Sequence, residues 1–575
     1  MAASLLAAQD QPPAAPGAVG TSATVHGLVR NGTTGEPLPR ALVRIEGDAS
    51  TGTLTDGDGH FEIPGVPSGP QELQVIKPGY FDDASEAAAA GSWENPIGAY
   101  AHNVIVAAPM PDVVFTMSPA DAIRGQVQLS TGDPAERIGV VLLRRTVQDG
   151  RLVWQSVSTT KTNSEGAYRF GGLADGVYVV YTEPATDSES ATNLVESGNG
   201  NKVARSGYAS QFYPEARDLA GAARIRLANG TQEDANLTLA LEPFHAVTAA
   251  VAFPAGRQGA DAEQSGTSLS ALVMDAEGRQ LPYTAQYDPE TRTVQALLPD
   301  GTYSLLVTAT TTRQVFKLAM DARLAGTNSI SVAPDAAPMT GQADFSVAGH
   351  AVSNLRVPLS AQHGNPVQLS VLRTAAQPPG AASAAFVTLS QTGGWISDGM
   401  VSAYAQGNTS GPLPTTYAPP GSYWAHTSIS QKNLCEGSFT AGGADLAREP
   451  LVLGLSGAAA PLILTLRDDC ASLTLALSGA MTALVPGEEP FYTVYVVPDF
   501  STTQDVVPQT LRSSTGGTVT LQGLTPGSYH VYAFDKPVVL AYRDPATLAA
   551  LPNPGQAVTL APGEAANLVV EAPEH

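Results

Sequence analysis

The chain is poor in charge, aromatic rings, cysteine and unbroken apolar runs, and each shortage excludes something. Only two cysteines occur in 575 residues, which rules out a disulfide-dense scaffold and a structural zinc site of four thiolates. No stretch reaches the ~18 to 20 uninterrupted apolar residues of a spanning helix, so no transmembrane segment is expected. Basic residues number 30 against 53 acidic ones, a formal charge of -23, and that field repels phosphate backbones and anionic head groups. Nucleic acid is therefore excluded as a partner class.

Catalytic signatures are missing too. The nine histidines are scattered from His26 to His575, and none begins an H-x-x-E or H-E-x-x-H unit of the kind that places zinc ligands on one face. No serine sits in a G-x-S-x-G elbow, and no G-x-x-x-x-G-K-[ST] loop could cradle phosphate. No catalytic residue is assigned, and the chain reads as a non-enzyme.

What the sequence does have is punctuation. Glycine and proline, at 56 and 44 residues, break a 43% hydrophobic chain into short strand-length pieces, so the reading is a packed all-β protein without long helices. One phrase recurs five times: alternating apolar residues, a small linker, Gly, then a restart of alternation. The copies are FEIPGVPSGPQEL from Phe61, YRFGGLADGVYVV from Tyr168, VQALLPDGTYSLLV from Val294, YAPPGSYWAHT from Tyr417 and VTLQGLTPGSYHVYAF from Val519. Their pivots, Gly69, Gly176, Gly301, Gly421 and Gly527, lie 107, 125, 120 and 106 residues apart. Such periods are a sandwich domain long, not a solenoid turn long.

Alternation such as Phe61/Ile63 and Val519/Leu521 is the period-2 mark of a half-buried strand. Pro or Asp before the pivot presets a bend, after which glycine is expected to take positive φ. The tyrosines two residues on, Tyr178, Tyr303, Tyr423 and Tyr529, are expected to pack at the sandwich edge as scaffold. Runs such as NLTLAL from Asn236, NLRVPL from Asn354 and NLVVEA from Asn567 read as closing strands. The division that follows is a leader over 1–21, then sandwiches over 22–119, 120–243, 244–362, 363–469 and 470–575, each expected to fold independently. The leader reads either as the remnant of a signal peptide lacking its basic region or as a disordered start.

The stretch from Val25 to Phe81 resembles a carboxypeptidase regulatory-like domain of the transthyretin-like sandwich group. The resemblance rests on the opening strand VHGLV with Leu28 at its second place, the turn ending in Pro, ALVRI, the TDGDGHF turn from Thr55, and the Gly corner. The second repeat, with TNSEGAYRFGGLADGVYVV, is similar; the third and fourth keep the corner and closing strands, and the fifth keeps TPGSYHVYAFD. The resemblance implies tandem Ig-like or transthyretin-like antiparallel β-sandwich domains of an extracellular, cell-surface or periplasmic bacterial protein. It implies a non-catalytic module, in some relatives grouped with carbohydrate-binding-like folds. A Lys–Asn cross-link, known in some related surface sandwiches, finds no partner motif for the six lysines.

Several residues carry candidate roles. Trp93, Tyr100 and Trp395 lie in loop-like segments where an aromatic platform could hold a glycan, while Trp154 and Trp424 fall in strand alternation and read as core. Tyr208, Phe212 and Tyr213 read as local packing. Asp56 and Asp58 are the best calcium ligands by spacing, although the turn already needs Asp and Gly for backbone reasons. Asp82-Asp83 and Asp468-Asp469 read as solvated charge. Cys435 and Cys470 either close a loop or stay as two thiols, because antiparallel strands would set their ends apart unless another strand intervened. The function so read is a structural or adhesive element whose partner is a glycan or protein at a cell surface. The alternative is an array of carbohydrate-binding modules.

Overall fold

A computed structural model describes residues 22–47, 51–82, 101–186, 205–254, 267–275, 278, 280–311, 339–361, 365–372, 385–392, 395–396, 403–407, 415–416, 420–429, 431–455, 460–478, 489–512, 516–535 and 537–571. The chain divides into two compact units. One comprises Met1–Ser85, Gly98–Ser118 and Thr482–Pro490, and the second takes the remainder. Both are built of β-sandwiches, and among the described residues no helix is long and apolar enough to cross a membrane.

In the first unit one sheet runs in the order His60–Pro67, Ser22–Asn31, Val113–Pro119, Tyr80–Asp82, and faces a second of Gly52–Leu54, Leu42–Ile45, Gly69–Ile76 and His102–Val106. Alternate residues point inward, so Val25, Val29, Val43, Leu73, Val104 and Phe115 form a core with no solvent exposure. The opening strand Ser22–Asn31 pairs antiparallel with the strand before the corner and parallel with the closing strand Val113–Pro119.

The second unit repeats this wiring four times. The opening strands Asp121–Leu129, Leu241–Ala252, Asn365–Leu372 and Ala471–Ser478 each lie beside the strand preceding a corner, antiparallel, and beside a closing strand, parallel. The corner strands Gly176–Thr182, Gly421–Ile429 and Gly527–Phe534 occupy the opposite sheet, whereas in the third repeat Gly301–Thr311 shares one continuous sheet with Leu241–Ala252, linked through Thr293–Leu298, Gln280–Asp288 and Thr267–Met274. Each repeat has its own core cluster. The parallel closure is a mixed-sheet feature that strand alternation could not reveal, because alternation carries no direction.

The corner glycine is needed for a different reason from the expected one. Only Gly69, at φ 118°, is left-handed; Gly176, Gly421 and Gly527, at 158–159°, are close to extended. The left-handed residue sits four positions earlier in three repeats: Gly65, Gly172 and Gly523, at 71–75°, stand at the bulges where the pairing register slips. At the pivot itself the tyrosine ring folds back over the glycine. Tyr178 and Tyr303 donate their hydroxyls to Ala174 O (2.6 Å) and Pro299 O (3.0 Å), and Tyr529 does the same to Thr525 O. This is a tyrosine corner. In the first unit Gln71 takes the tyrosine's place and its Nε2 donates to the corresponding carbonyl, Pro67 O, at 3.2 Å.

A Cβ on Gly301 would lie 2.8 Å from the Tyr303 hydroxyl, whereas one on Gly421 would stay 3.3 Å from its ring. Gly301→Ala is expected to destabilise its sandwich by about 1–3 kcal/mol, read as a lower urea midpoint.

The sandwiches of the second unit are not independent. Arg205–Tyr208, part of the extension of the second repeat, pairs with the opening strand of the third. Trp154-Gln155 runs parallel to Trp395-Ile396 of the fourth. Thr340 Oγ donates to Leu455 O at 2.9 Å, and Thr427 N to Thr503 O at 2.9 Å. Phe212 stacks on Tyr181, with centroids 4.9 Å apart, as local packing.

Candidate functional site

Among the described residues of the second unit, a polar cluster forms where a long hairpin reaches away from its own sheet. Gly139–Gln148 and Arg151–Lys161 pair along their length, joined by Asp149-Gly150. Both turn residues have positive φ, 50° and 72°, the geometry that an Asp-Gly turn between right-twisted strands favours. The corner strand Gly176–Thr182 accompanies Gly139–Gln148 only as far as Arg144. Beyond that point the hairpin projects as a finger.

Its tip meets strands of the fourth and fifth repeats. Gly150 O accepts from Arg543 N at 2.8 Å, and a Cβ on Gly150 would lie 2.5 Å from the Tyr542 ring. Arg543 sits just before a short helix, Pro545–Ala549, capped by Asp544. Its guanidinium donates to Asp149 O (3.1 Å), Thr502 O (2.6 Å) and Gln504 O (3.1 Å), and lies 3.4 Å from Asp505. Arg151 stacks over Trp424 at 3.6 Å, and burial, with the neighbouring Arg543 charge, lowers its pKa to about 10. Trp154 is covered in the same way by Arg224, 4.7 Å from its ring centroid. Both tryptophans are half-buried: Trp154 also packs against the cluster of Val141, Leu143, Val179, Tyr181 and Phe212, while Trp424 is a stacking partner for Arg151.

His426 lies between two carboxylates, with Nδ1 2.9 Å from Asp505 and Nε2 3.4 Å from Asp149. Ser390 Oγ donates to Asp149 at 2.9 Å. Beside them the buried Glu436 accepts from Thr503 N (3.0 Å), Thr503 Oγ (2.6 Å) and Thr427 Oγ (2.9 Å). The contacts of Asp149, Asp505 and Thr503 tie one repeat to another, while Thr427 to Glu436 lies within the fourth.

The chemistry of the cluster is that of a brace. Ser390 donates to the Asp149 carboxylate, whose same oxygen lies 3.4 Å from His426 Nε2. Asp149, His426 and Asp505 each place one ligand atom within 4.8 Å of the others. Arg543 and Arg151 already supply two positive charges against the two aspartates, which leaves a divalent cation little electrostatic gain. A cleft of about 300 Å³ opens alongside, within the fifth repeat, lined by Val496, Phe500, Leu521, Leu524 and Tyr529 with Asp505 at its edge.

The residues singled out from sequence are dispersed. Trp93 and Tyr100 lie outside the described residues, and of Trp395 only the backbone is described, in its bridge to Trp154. Asp56 Oδ1 accepts from Asp58 N (3.0 Å) and His60 N (2.8 Å). In the second repeat the uncharged Asn163 makes the same two bonds, to Glu165 N (2.9 Å) and Ala167 N (2.8 Å). The preceding Thr55 and Thr162 also bond alike, each donating its Oγ to a backbone oxygen at 2.6 Å. The shared demand is therefore turn capping. Asp56→Asn should leave the melting temperature within about 1 °C in calcium-free and calcium-containing buffer alike; a calcium-dependent loss in the variant would restore the cation reading.

Cys435 and Cys470 are joined in a disulfide, with Cα atoms 5.8 Å apart. The expected separation of strand ends was misjudged: antiparallel pairing sets the start of Cys435–Ala441 opposite the end of Leu462–Arg467, with Cys435 facing Arg467. Two acids read as solvated are not. Asp82 is buried 2.6 Å from His102 Nε2, and Asp469 takes both Nε and Nη2 of Arg467, at 2.5 and 2.7 Å, which holds its pKa below the usual range.

The carboxypeptidase regulatory-like domain family matches residues 24–92. No curated protein matches the sequence. Among solved structures, the Bacillus anthracis TIE protein is 10% identical over 96% of this chain and 69% of its own, with a TM-score of 0.14. The shaft pilin SpaA of Lactobacillus rhamnosus GG is 12% identical over 38% and 98%, with a TM-score of 0.17. GBS52, the minor pilin of Streptococcus agalactiae, is 13% identical over 38% and 96%, at 0.18. These three superpose too poorly to say more. The chain thus carries, over residues 24–92, a carboxypeptidase regulatory-like domain.

Proposed function

We propose that the chain is a non-enzymatic structural or adhesive protein of the secreted or cell-surface type, made of five sandwich domains bounded near residues 119, 243, 362 and 469. The observation that carries this reading is the finger hairpin. A polar cluster consumed in joining one sandwich to two others holds parts in place rather than turning over a substrate. The disulfide supports export, because such bonds persist in oxidising compartments, and the acidic charge favours solubility there. The protein's partner on this reading is another surface macromolecule.

Brief protease treatment of intact host cells tests the proposal. Peptides from these sandwiches should be released before lysis, with Cys435 and Cys470 recovered as one linked pair. Recovery of the chain only from the cytosol, with both thiols free, would contradict it.

A further inference from the structure

The corner of the second repeat holds a second buried polar site that the brace does not use. Asp121 opens the strand Asp121–Leu129 and is 1% exposed. Asp175, the residue before the corner glycine, faces it, and its Oδ1 accepts from Asn229 N at 2.9 Å. Both oxygens of Asp121 are buried without a hydrogen bond of ordinary geometry.

The third repeat shows what this position normally does. There Asp300 also precedes the corner glycine and accepts from the matching turn, Gly349 N, at 2.7 Å. Its partner on the opening strand is His245, buried, with Nε2 at 3.3 Å. Carboxylate against imidazole is an ordinary acid–base pair. In the second repeat the imidazole is replaced by another carboxyl, and two carboxyls can hold each other in a buried site only by sharing a proton.

We propose that Asp121 and Asp175 form a proton-binding clasp, closed when one proton bridges the two carboxyls and loosened when that proton leaves. The clasp joins the opening strand, the corner loop and the turn at Asn229–Thr231 that leads to the closing strands Gln232–Asp234 and Leu237–Leu239. Arg144 Nη2 donates to the backbone oxygen of Asp175 at 2.9 Å, and the amides of Gly230 and Thr231 lie near Asp121 and favour its charged form. Burial, then the hydrogen bond and charge of Asp175, outweigh them and push the Asp121 pKa up to about 7 from 3.8. Since the folded state holds the proton more tightly than the unfolded chain, stability from the clasp is full near pH 4 and is lost as pH rises toward 7. This inference does not rest on the proposed function.

Hydrogen exchange of the full chain at pH 5 and pH 8, corrected for intrinsic rates, tests it. Opening of residues 229–234 should be at least about tenfold more frequent at pH 8 in the parent chain. Asp121→Asn and Asp175→Asn should each abolish that difference, and Asp121→Asn should protect the segment better than the parent at pH 8. Equal protection at both pH values, or an unchanged difference in both variants, would overturn the proposal. So would restoration of the parent's protection at pH 8 by calcium or magnesium, which would make the pair a cation site.

Discussion

Arg543→Ala should destabilise the second unit by about 3–5 kcal/mol, the usual loss when one member of a buried charge network is removed and its partners stay behind. The side chain is only 12% exposed, and its loss strands the carbonyls of Asp149, Thr502 and Gln504 together with the Asp505 carboxylate. The effect should also be one of coupling. Calorimetry of the parent should show the second, fourth and fifth repeats melting together, and the variant should resolve them into separate transitions. Arg543→Lys should recover little, because an ammonium cannot reach several fixed carbonyls in one plane. A single unshifted transition in Arg543→Ala would show that the finger only touches its neighbours.

Reduction of the Cys435–Cys470 bond should have a comparable cost, confined to the fourth repeat. The bond closes a separation of 35 residues, for which loop-closure entropy in the unfolded chain corresponds to about 4 kcal/mol. Cys435 is fully buried against its sheet, so Cys435→Ser should cost more than Cys470→Ser, since it adds a buried hydroxyl to the lost cross-link. Urea titrations with and without reductant would measure both. A midpoint insensitive to reductant would contradict the account of this repeat.

The fold was legible where its cause is local. Alternation at Phe61/Ile63 or Val519/Leu521 marks strands because side-chain direction has period two, and Gly-x-Tyr marks corners because the tyrosine hydroxyl bonds back to a carbonyl four residues earlier. The parallel closing strands were not legible, since NLTLAL or NLVVEA reads the same in either direction. The pivot glycine was legible as a requirement but not as a mechanism: the bulge at Gly172 uses positive φ, whereas Gly176 avoids the Arg144 guanidinium and the Tyr178 ring. The disulfide stayed open in the sequence because the direction of Cys435–Ala441 relative to Leu462–Arg467 decides it.

The brace was hidden for a different reason. The Asp149-Gly150 turn between alternating runs signals a hairpin, but its contacts Ser390, His426, Asp505 and Arg543 are 241 to 394 residues away in sequence. No spacing rule joins them. The acid pair Asp121 and Asp175 was likewise concealed, because Asp before Gly is explained locally by the turn, and its long-range partner appears only once opening strand and corner are side by side.

The claim on which most depends is that the second unit is held as one body through the finger. Amide exchange at two positions tests it directly: Arg543 N, which donates to Gly150 O, and Thr427 N, which donates to Thr503 O. Both should be protected at near the level of the sandwich cores, and in Arg543→Ala the Thr427 amide should exchange at least about tenfold faster. Exchange of both amides in the parent at the rate of an exposed loop would mean that the sandwiches are merely strung together.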